Sequence, residues 1–240
     1  MLRVTVQANR MRAVTQEMKF LATPEKGEVS ALLIRPENAT HLLVLGHGAS
    51  TNMRHATIQS IADRLAEVGI ATLRYNFPYS ENGKGRDGQA VCTETIRSAV
   101  ATAHKAAPGL PLLAGGHSFS GRMTSTAASE SPLDGVIGLV FFSFPLHLAG
   151  KPETKRADHL AGVSVPMLFL SGTRDELADL DLLKPVCEKL GSRATLHLLD
   201  TADHGYKILK KSRASDEDVF VEMARVARDW AAKLARRKPA

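Results

Sequence analysis

Residues 110–131, LPLLAGGHSFSGRMTSTAASES, decide the fold of this chain. The apolar run Leu110–Gly115 is typical of a buried strand, and the small residues of Phe119–Ser131 predict a helix directly after it. The junction between them, GGHSFSG at residues 115–121, is close to G-x-S-x-G, in which a sharp strand-to-helix turn exposes a serine hydroxyl. The pattern predicts a nucleophile at Ser118, against the alternative of a small-residue helix start that only packs.

One position of this motif departs from the usual pattern. Ser120 stands where the second glycine is expected, and serine is small enough to let strand and helix approach one another. Ser120 is the weaker candidate nucleophile, because Arg122 would then take the second small position and crowd the turn.

Short strand-like runs alternate with helical patterns on both sides of the junction. Strands joined by crossover helices favour a mostly parallel sheet with helices on both faces, a three-layer α/β fold. A short turn joins the first two strands, which we expect to be antiparallel. The eight predicted strands are Thr15–Ala22, Glu28–Arg35, His41–Gly46, Ile70–Phe77, Leu110–Gly115, Gly135–Phe144, Val165–Ser171 and Ala194–Leu199. The predicted helices are His55–Val68, Gln89–Ala107, Phe119–Ser131, Leu182–Leu190 and Asp216–Arg237.

The chain shows no Pro/Gly/Ser-rich linker that would divide it. We therefore expect one domain over residues 15–240, preceded by a flexible N-terminal segment, residues 1–14. The least regular stretch is 145–162, which predicts a small excursion or a single helix at the sheet edge and is too short for a lid domain.

The composition excludes several classes of protein. The 240 residues are 44% hydrophobic and 23% charged, as in soluble globular chains. No apolar run approaches the roughly 20 residues of a membrane helix, and the N-terminus lacks the apolar core of a signal peptide. Two cysteines are too few for a disulfide framework. We therefore expect a cytoplasmic protein with no membrane span.

The net charge of +6 is concentrated at the two ends of the chain. Residues 207–240 hold 10 basic and 5 acidic side chains, and residues 1–14 hold three arginines and no acid. The remaining body, residues 15–206, has a net charge of −2. Because a nucleic-acid-binding protein carries its basic face on the folded body, we expect no nucleic-acid partner. The sequence leaves the oligomeric state open.

Two more polar side chains follow predicted strands at the sheet edge where Ser118 is expected. Asp175 comes after the seventh predicted strand, and His204 comes after the eighth. A serine nucleophile needs an imidazole base and a carboxylate that orients it, and this architecture places them in the order Ser, Asp/Glu, His. We therefore predict Ser118, Asp175 and His204 as a catalytic triad. The alternative acids are Glu176, Asp179 and Asp181.

Acyl transfer also needs two backbone N–H groups that stabilise the oxyanion. The residue after the nucleophile, Phe119, would supply one. The loop after the third strand, Gly-His-Gly-Ala-Ser at residues 46–50, would supply the other, and we assign it to Ala49. His47 is expected to brace this loop.

Two weaker patterns do not indicate a ligand. Residues 83–88 match G-x-G-x-x-G, but Pro78–Asn82 separate them from the strand and no acid lies about 20 residues further on, which favours a flexible glycine loop. The sequence has neither H-E-x-x-H nor paired cysteines, so we expect no metal and no cofactor.

Six segments carry a family resemblance: LVLGHGAS (43–50), RYNFPYSENGKGR (74–86), GGHSFSGRM (115–123), SFPLHLAGKPE (143–153), FLSGTRD (169–175) and ADHGY (202–206). With these segments the chain resembles the α/β-hydrolase superfamily and, over nearly its whole length, the small, lidless dienelactone-hydrolase-like branch. Within that branch it is most similar to the α/β-family hydrolases related to the eukaryotic KANL/Tex-type proteins. The resemblance implies an eight-stranded sheet, with Ser118 as nucleophile, Asp175 as orienting acid and His204 as base. Besides Ser120, one departure is Leu148, where relatives often have proline.

The function expected from these observations is that of a serine hydrolase. It would cleave a small acyl ester, thioester or lactone through an acyl-enzyme, with Tyr79 and His147 lining the substrate pocket. Two alternatives stay open, namely acyl transfer to an acceptor other than water by the same residues, and a non-catalytic interaction module on the same fold.

Overall fold

The computed structural model describes residues 13–234, whose strands form one eight-stranded sheet. The strand order across the sheet is β1-β2-β4-β3-β5-β6-β7-β8. The first two strands are antiparallel to each other, β2 is antiparallel to β4, and all other neighbours are parallel. The strands are β1 (Ala13–Thr23), β2 (Gly27–Pro36), β3 (His41–Gly46), β4 (Ile70–Tyr75), β5 (Leu112–His117), β6 (Val136–Phe142), β7 (Met167–Gly172) and β8 (Ala194–Leu199).

Helices cover both faces of this sheet and enclose two apolar cores. One core lies between the sheet and α3, α4 and α5, and the other lies between the sheet and α1 and α6. Between Ala13 and Leu234 the α-helices are α1 (Ala56–Glu67), α2 (Pro78–Glu81), α3 (Gln89–Ala106), α4 (Phe119–Glu130), α5 (Leu180–Leu190) and α6 (Val219–Leu234). The predicted three-layer α/β fold with a mostly parallel, eight-stranded sheet is confirmed.

The central strand β5 carries only apolar residues before His117, as expected of a strand whose two faces are both covered. It lies between β3 and β6, and Gly115 of β5 faces the backbone of Val140 so closely that a Cβ atom there would collide with the Val140 carbonyl. The position of β5 between β3 and β6 places its end, and therefore Ser118, in the middle of the carboxyl edge of the sheet.

The helix boundaries differ from the predicted ones where side chains cap the first turn. Helix α6 begins at Val219, not Asp216, because the Asp218 carboxylate accepts hydrogen bonds from the amides of Phe220 and Val221. Helix α5 begins at Leu180 because Asp179 caps it through the Asp181 amide. The short helix α2 was not predicted.

Some predictions fall at the ends of the described residues. Strand β1 begins at Ala13, so Ala13 and Val14 belong to the strand and not to the N-terminal segment. The rest of that segment, 1–12, and the last predicted helical residues, 235–237, lie outside the described residues.

The irregular stretch 145–162 packs over α4 and ends in a 3₁₀ segment, Lys155–Gly162. It forms the small excursion expected from the sequence. Within residues 13–234, no helix combines the length and the hydropathy needed to cross a membrane.

Candidate active site

Ser118 occupies a sharp turn between β5 and α4. Its backbone has φ 54° and ψ −112°, a conformation that costs a residue other than glycine on the order of 1–3 kcal/mol. The turn is held from both sides, because the Ser118 amide donates to the Phe142 carbonyl at 2.9 Å and its own carbonyl accepts from the Arg122 amide at 3.3 Å. The predicted strand-turn-helix geometry around Ser118 is therefore present.

The glycine that precedes the turn has no room for a side chain. A Cβ atom at Gly116 would overlap the Ser120 hydroxyl and lie 2.6 Å from the Gly46 carbonyl oxygen. Ser120 is fully buried, and its hydroxyl donates to the His117 carbonyl at 3.2 Å. The Ser120 side chain has room because the residue that faces it on β3 is Gly46. A Cβ atom at Gly46 would lie 2.5 Å from the Cβ atom of Ser120. Serine thus replaces the second glycine of G-x-S-x-G without opening the turn.

The three side chains predicted as a triad lie in direct contact. His204 Nε2 is 2.8 Å from Ser118 Oγ, and His204 Nδ1 is 2.9 Å from each Asp175 carboxylate oxygen. An ionised carboxylate can only accept, so Nδ1 carries the proton and Nε2 is left to accept from the serine hydroxyl. The Asp175 side chain is completely buried and that of His204 is 23% exposed. This arrangement can remove a proton from Ser118.

A tight turn after β7 holds Asp175. Its Oδ1 also accepts from the Leu177 amide at 2.8 Å, which fixes the rotation of the carboxylate. Of the alternative acids, Asp179 caps α5 through the Asp181 amide, so the structure gives it a different contact.

His147 braces this same turn. Its Nε2 accepts from the Asp179 amide at 3.0 Å, its Nδ1–H donates to the Leu148 carbonyl at 2.9 Å, and its backbone amide donates to Leu177 at 3.0 Å. His147 as a whole is 4% exposed. Because backbone groups occupy both ring nitrogens, neither is free to bond a substrate, and the role of His147 as a pocket residue stays a prediction.

The loop that carries His204 is held by two side chains. Asp203 Oδ1 accepts from the amides of Gly205 and Lys207, at 2.9 Å each. His117 Nε2–H donates to the His204 carbonyl at 3.1 Å, and burial together with the neighbouring His204 lowers the pKa of His117 to about 4. His117 therefore stays neutral at neutral pH and keeps one ring proton.

The two amides predicted to hold the oxyanion are both free. Within residues 13–234, no group accepts a hydrogen bond from the Ala49 or the Phe119 amide. His47 braces the Ala49 loop as expected, because its Nδ1–H donates to the Gly48 carbonyl at 2.7 Å and its Nε2 accepts from the Phe77 amide at 3.2 Å. Burial lowers the pKa of His47 to about 4.

Tyr79 lies beside this loop. Its ring stacks on Phe77, with centroids 5.8 Å apart, and meets Phe119 and His47 edge-on at 6.3 and 5.9 Å. Its buried hydroxyl has no hydrogen-bond partner in the part of the chain that the structure describes. Tyr79 therefore packs against Phe119, and its role as a pocket residue stays a prediction.

Sequence reasoning missed two contacts near the site and gave His147 a different role. His117 braces the loop of His204, and the guanidinium carbon of Arg86 lies 5.2 Å from the centroid of the Phe119 ring. His147, expected to line the pocket, braces the turn that holds Asp175. Their partners are distant along the chain, so no local pattern marked them. Among the described residues, no group of three His, Cys, Asp or Glu side chains is arranged to hold a metal ion.

Comparisons with known proteins agree with this fold. The structure is similar to a dienelactone hydrolase from Anabaena variabilis, with a TM-score of 0.69 and 18% identity over 91% of this chain and 98% of that one. It is also similar to an α/β serine hydrolase without a lid from Xanthomonas campestris, with a TM-score of 0.68 and 18% identity over 98% and 100%. The esterase domain of a Rhodothermus marinus protein matches with a TM-score of 0.67 and 18% identity over 92% and 98%. At these identities the structural matches show the fold. The family model described as an alpha/beta hydrolase domain matches residues 39–232, and the chain therefore belongs to the alpha/beta hydrolase family.

Proposed function

We propose that this protein is a serine hydrolase that cleaves a small acyl ester, thioester or lactone. The observation that carries the proposal is the imidazole of His204, which lies within hydrogen-bond distance of Ser118 Oγ on one side and of the buried Asp175 carboxylate on the other. A serine hydroxyl is a weak nucleophile, and an adjacent oriented base is what activates it.

In the first half of the proposed reaction, Ser118 Oγ attacks the acyl carbonyl carbon while its proton passes to His204 Nε2. Asp175 keeps the proton on Nδ1 and stabilises the imidazolium that forms. When the tetrahedral intermediate collapses, the bond to the alcohol or thiol breaks and the leaving group takes the proton from His204. The acyl group is then esterified to Ser118.

In the second half, water attacks the acyl-enzyme. His204 Nε2 takes a proton from that water and returns it to Ser118 Oγ as the acid leaves. In both halves, the free amides of Ala49 and Phe119 would hold the oxyanion. One such donor commonly stabilises the transition state by about 3–4 kcal/mol.

Three further facts support the proposal. The family is that of the alpha/beta hydrolases, and similar structures include a dienelactone hydrolase and an esterase domain. The strained backbone of Ser118 is the kind of local cost that accumulates at functional sites.

Labelling with a fluorophosphonate probe tests the proposed nucleophile. The probe phosphorus bonds to an activated serine oxygen and fluoride leaves, so we expect one labelled serine in the wild-type protein and none in Ser118→Ala. The matched control is Ser120→Gly, which restores the second glycine of G-x-S-x-G two residues after Ser118 and should keep the label.

Hydrolysis of p-nitrophenyl butyrate provides the second readout. Ser118→Ala should lower kcat by a factor on the order of 10⁴ or more. Undiminished labelling or turnover in a folded Ser118→Ala protein would remove Ser118 from the role. A wild-type protein that is not labelled by the probe and does not hydrolyse p-nitrophenyl butyrate would favour the non-catalytic alternative.

A further inference from the structure

The proposed oxyanion amide of Ala49 lies in a tight turn of the loop between β3 and α1. The Gly48 carbonyl accepts from the Thr51 amide at 3.2 Å, which closes a four-residue turn, and from the Thr51 hydroxyl at 3.1 Å. Ala49 is the second residue of this turn, a position whose amide takes no part in the turn's own hydrogen bond. The contacts that hold the turn therefore decide where this amide points.

Three side chains from one short stretch of chain hold the loop, and we call Arg74, Asn76 and Ser80 the loop clamp. Asn76 Oδ1 accepts from the Met53 amide at 2.9 Å, and Arg74 Nη1 donates to the Met53 carbonyl at 3.1 Å. Ser80 Oγ donates to the Thr51 carbonyl at 2.9 Å. Because all of these partners are main-chain groups, the loop clamp fixes the backbone of the loop.

The members of the loop clamp are themselves held from other elements. Asn76 Nδ2 donates to the Glu81 carboxylate at 2.7 Å, and that carboxylate also accepts from the Ser30 hydroxyl of β2 at 2.6 Å. With both ends of its amide bonded, Asn76 has one orientation that satisfies its partners. Arg74 Nη1 also donates to Gln59 Oε1 of α1 at 2.7 Å. The clamp thus ties the loop to β2 and α1.

The burial of Arg74 shows that the clamp has a cost. Arg74 is fully buried, and within residues 13–234 it forms no ion pair with a carboxylate and its Nε and Nη2 have no hydrogen-bond partner. A buried charge without a paired charge is expensive, and a well-packed apolar side chain is often the more stable choice. What the guanidinium supplies here, and an apolar side chain would not, is the hydrogen bond to the loop carbonyl of Met53.

We propose that the loop clamp holds the turn at residues 48–51 so that the Ala49 amide meets the oxyanion of the transition state. This inference rests on the proposed function, since it assigns positioning residues to the same site. The clamp contacts the loop and not the reacting atoms. Because the oxyanion exists only in the transition state and the intermediate, a loosened clamp should lower kcat and leave KM nearly unchanged.

Two substrates that differ in one atom measure the oxyanion contact. p-Nitrophenyl butyrate and its thiono analogue, in which sulfur replaces the carbonyl oxygen, have the same acyl chain and the same leaving group. Sulfur accepts hydrogen bonds weakly, so the wild-type protein should prefer the oxygen ester. The readout is the ratio of the two kcat/KM values, because a loss of stability alone would lower both values equally and leave the ratio unchanged.

Two variants loosen the clamp at different bonds. Asn76→Leu removes the acceptor of the Met53 amide with a side chain of similar size, and Ser80→Ala removes the donor to the Thr51 carbonyl. We expect kcat for the oxygen ester to fall about tenfold in Asn76→Leu and about threefold in Ser80→Ala, with KM within about twofold. The oxygen-to-sulfur ratio should fall in the same order. Ser80→Thr keeps the hydroxyl and should recover the wild-type ratio.

The matched control is Ser98→Ala. It also removes a serine hydroxyl that donates to a main-chain carbonyl, in this case from α3 to Ala22 of β1 at 3.0 Å, away from the loop. We expect kcat, KM and the oxygen-to-sulfur ratio of Ser98→Ala to stay within about twofold of the wild-type values.

The outcomes separate the two proposals. A wild-type ratio in Ser80→Ala and Asn76→Leu refutes the positioning role even where kcat falls, and the hydrolase proposal then stands as long as turnover needs Ser118. Ser80→Ala decides alone if Asn76→Leu does not fold. An equal loss of the ratio in Ser98→Ala refutes the positioning role as well. Turnover that does not depend on Ser118 overturns the proposed function itself.

Discussion

At the scale of single residues, the site depends on how little room surrounds Ser118. The positive φ of Ser118 occurs above a tightly packed turn, where a Cβ atom added at Gly116 or Gly46 would collide with Ser120. Small residues at these positions allow the strand and helix to meet at the angle that exposes the hydroxyl.

Gly116→Ala should therefore destabilise the protein. The added methyl group would overlap the Ser120 hydroxyl and the Gly46 carbonyl, and overpacking of this kind costs about 1–3 kcal/mol. We expect a lower denaturation midpoint in urea and a loss of fluorophosphonate labelling. Gly162→Ala is the control, because its Cβ would meet Ser129 at an ordinary 3.5 Å. Equal midpoints for the two variants would contradict the packing argument.

His117 provides a second prediction at this scale. His117→Leu removes the N–H that holds the His204 carbonyl, so the base loses one of its backbone anchors and kcat should fall about tenfold, with little change in KM. His117→Gln keeps a donor and should recover much of the loss. The measurement is kcat and KM for p-nitrophenyl butyrate over pH 6 to 9. A loss of equal size in both variants would show that ring packing, and not the hydrogen bond, matters.

At the scale of elements, the strand ends determine where chemistry can occur. The positions of Ser118, Asp175 and His204 could be predicted because each follows a strand, and parallel strands bring their carboxyl ends to one edge. The strand pattern also predicted the sheet and its antiparallel first pair. The support of the Asp175 and His204 loops could not be predicted, because a contact such as His147 to Asp179 spans 32 residues and leaves no local pattern.

The segment between β8 and α6 shows another such long contact. Arg213 donates through Nη1 to the Asp200 carbonyl at 2.6 Å and pairs through Nη2 with Glu222 of α6. The Arg213 side chain is 2% exposed and that of Glu222 is 13% exposed. His197 of β8 bonds to the other oxygen of Glu222 at 2.8 Å. This network ties the start of the His204 loop to the last helix.

Arg213→Met should destabilise the protein by about 3 kcal/mol, because it leaves the Glu222 carboxylate buried without its main partner. The double variant Arg213→Met/Glu222→Leu removes both charges and should recover part of that loss. Urea denaturation at pH 7 measures both variants and the single variant Glu222→Leu. If the double variant loses as much stability as the two single variants together, the two side chains are not energetically coupled.

At the scale of the whole molecule, stability and function meet in the buried histidines. His47 directly follows β3 and His117 ends β5 just before Ser118, and both have a pKa lowered to about 4, chiefly by burial. In the unfolded chain a histidine binds its proton with a pKa near 6.5. The sequence showed that these histidines accompany the motif, but it could not show that they are buried and neutral, since burial depends on how the β3 and β5 loops pack.

These pKa values predict that the protein loses stability in mild acid. Between about pH 6.5 and pH 4 the unfolded chain takes up protons that folded His47 and His117 do not, so the free energy of unfolding falls as the pH falls, by roughly 2 kcal/mol for each histidine at pH 4.5. His47→Gln should reduce this pH dependence, because glutamine can donate to Gly48 and accept from Phe77 without titrating. The measurement is urea denaturation of both proteins from pH 8 to pH 4.5, with the range from pH 7 to pH 8 as the control in which their curves should run parallel. Curves that remain parallel down to pH 4.5 would show that folded His47 takes up its proton as readily as the unfolded chain does.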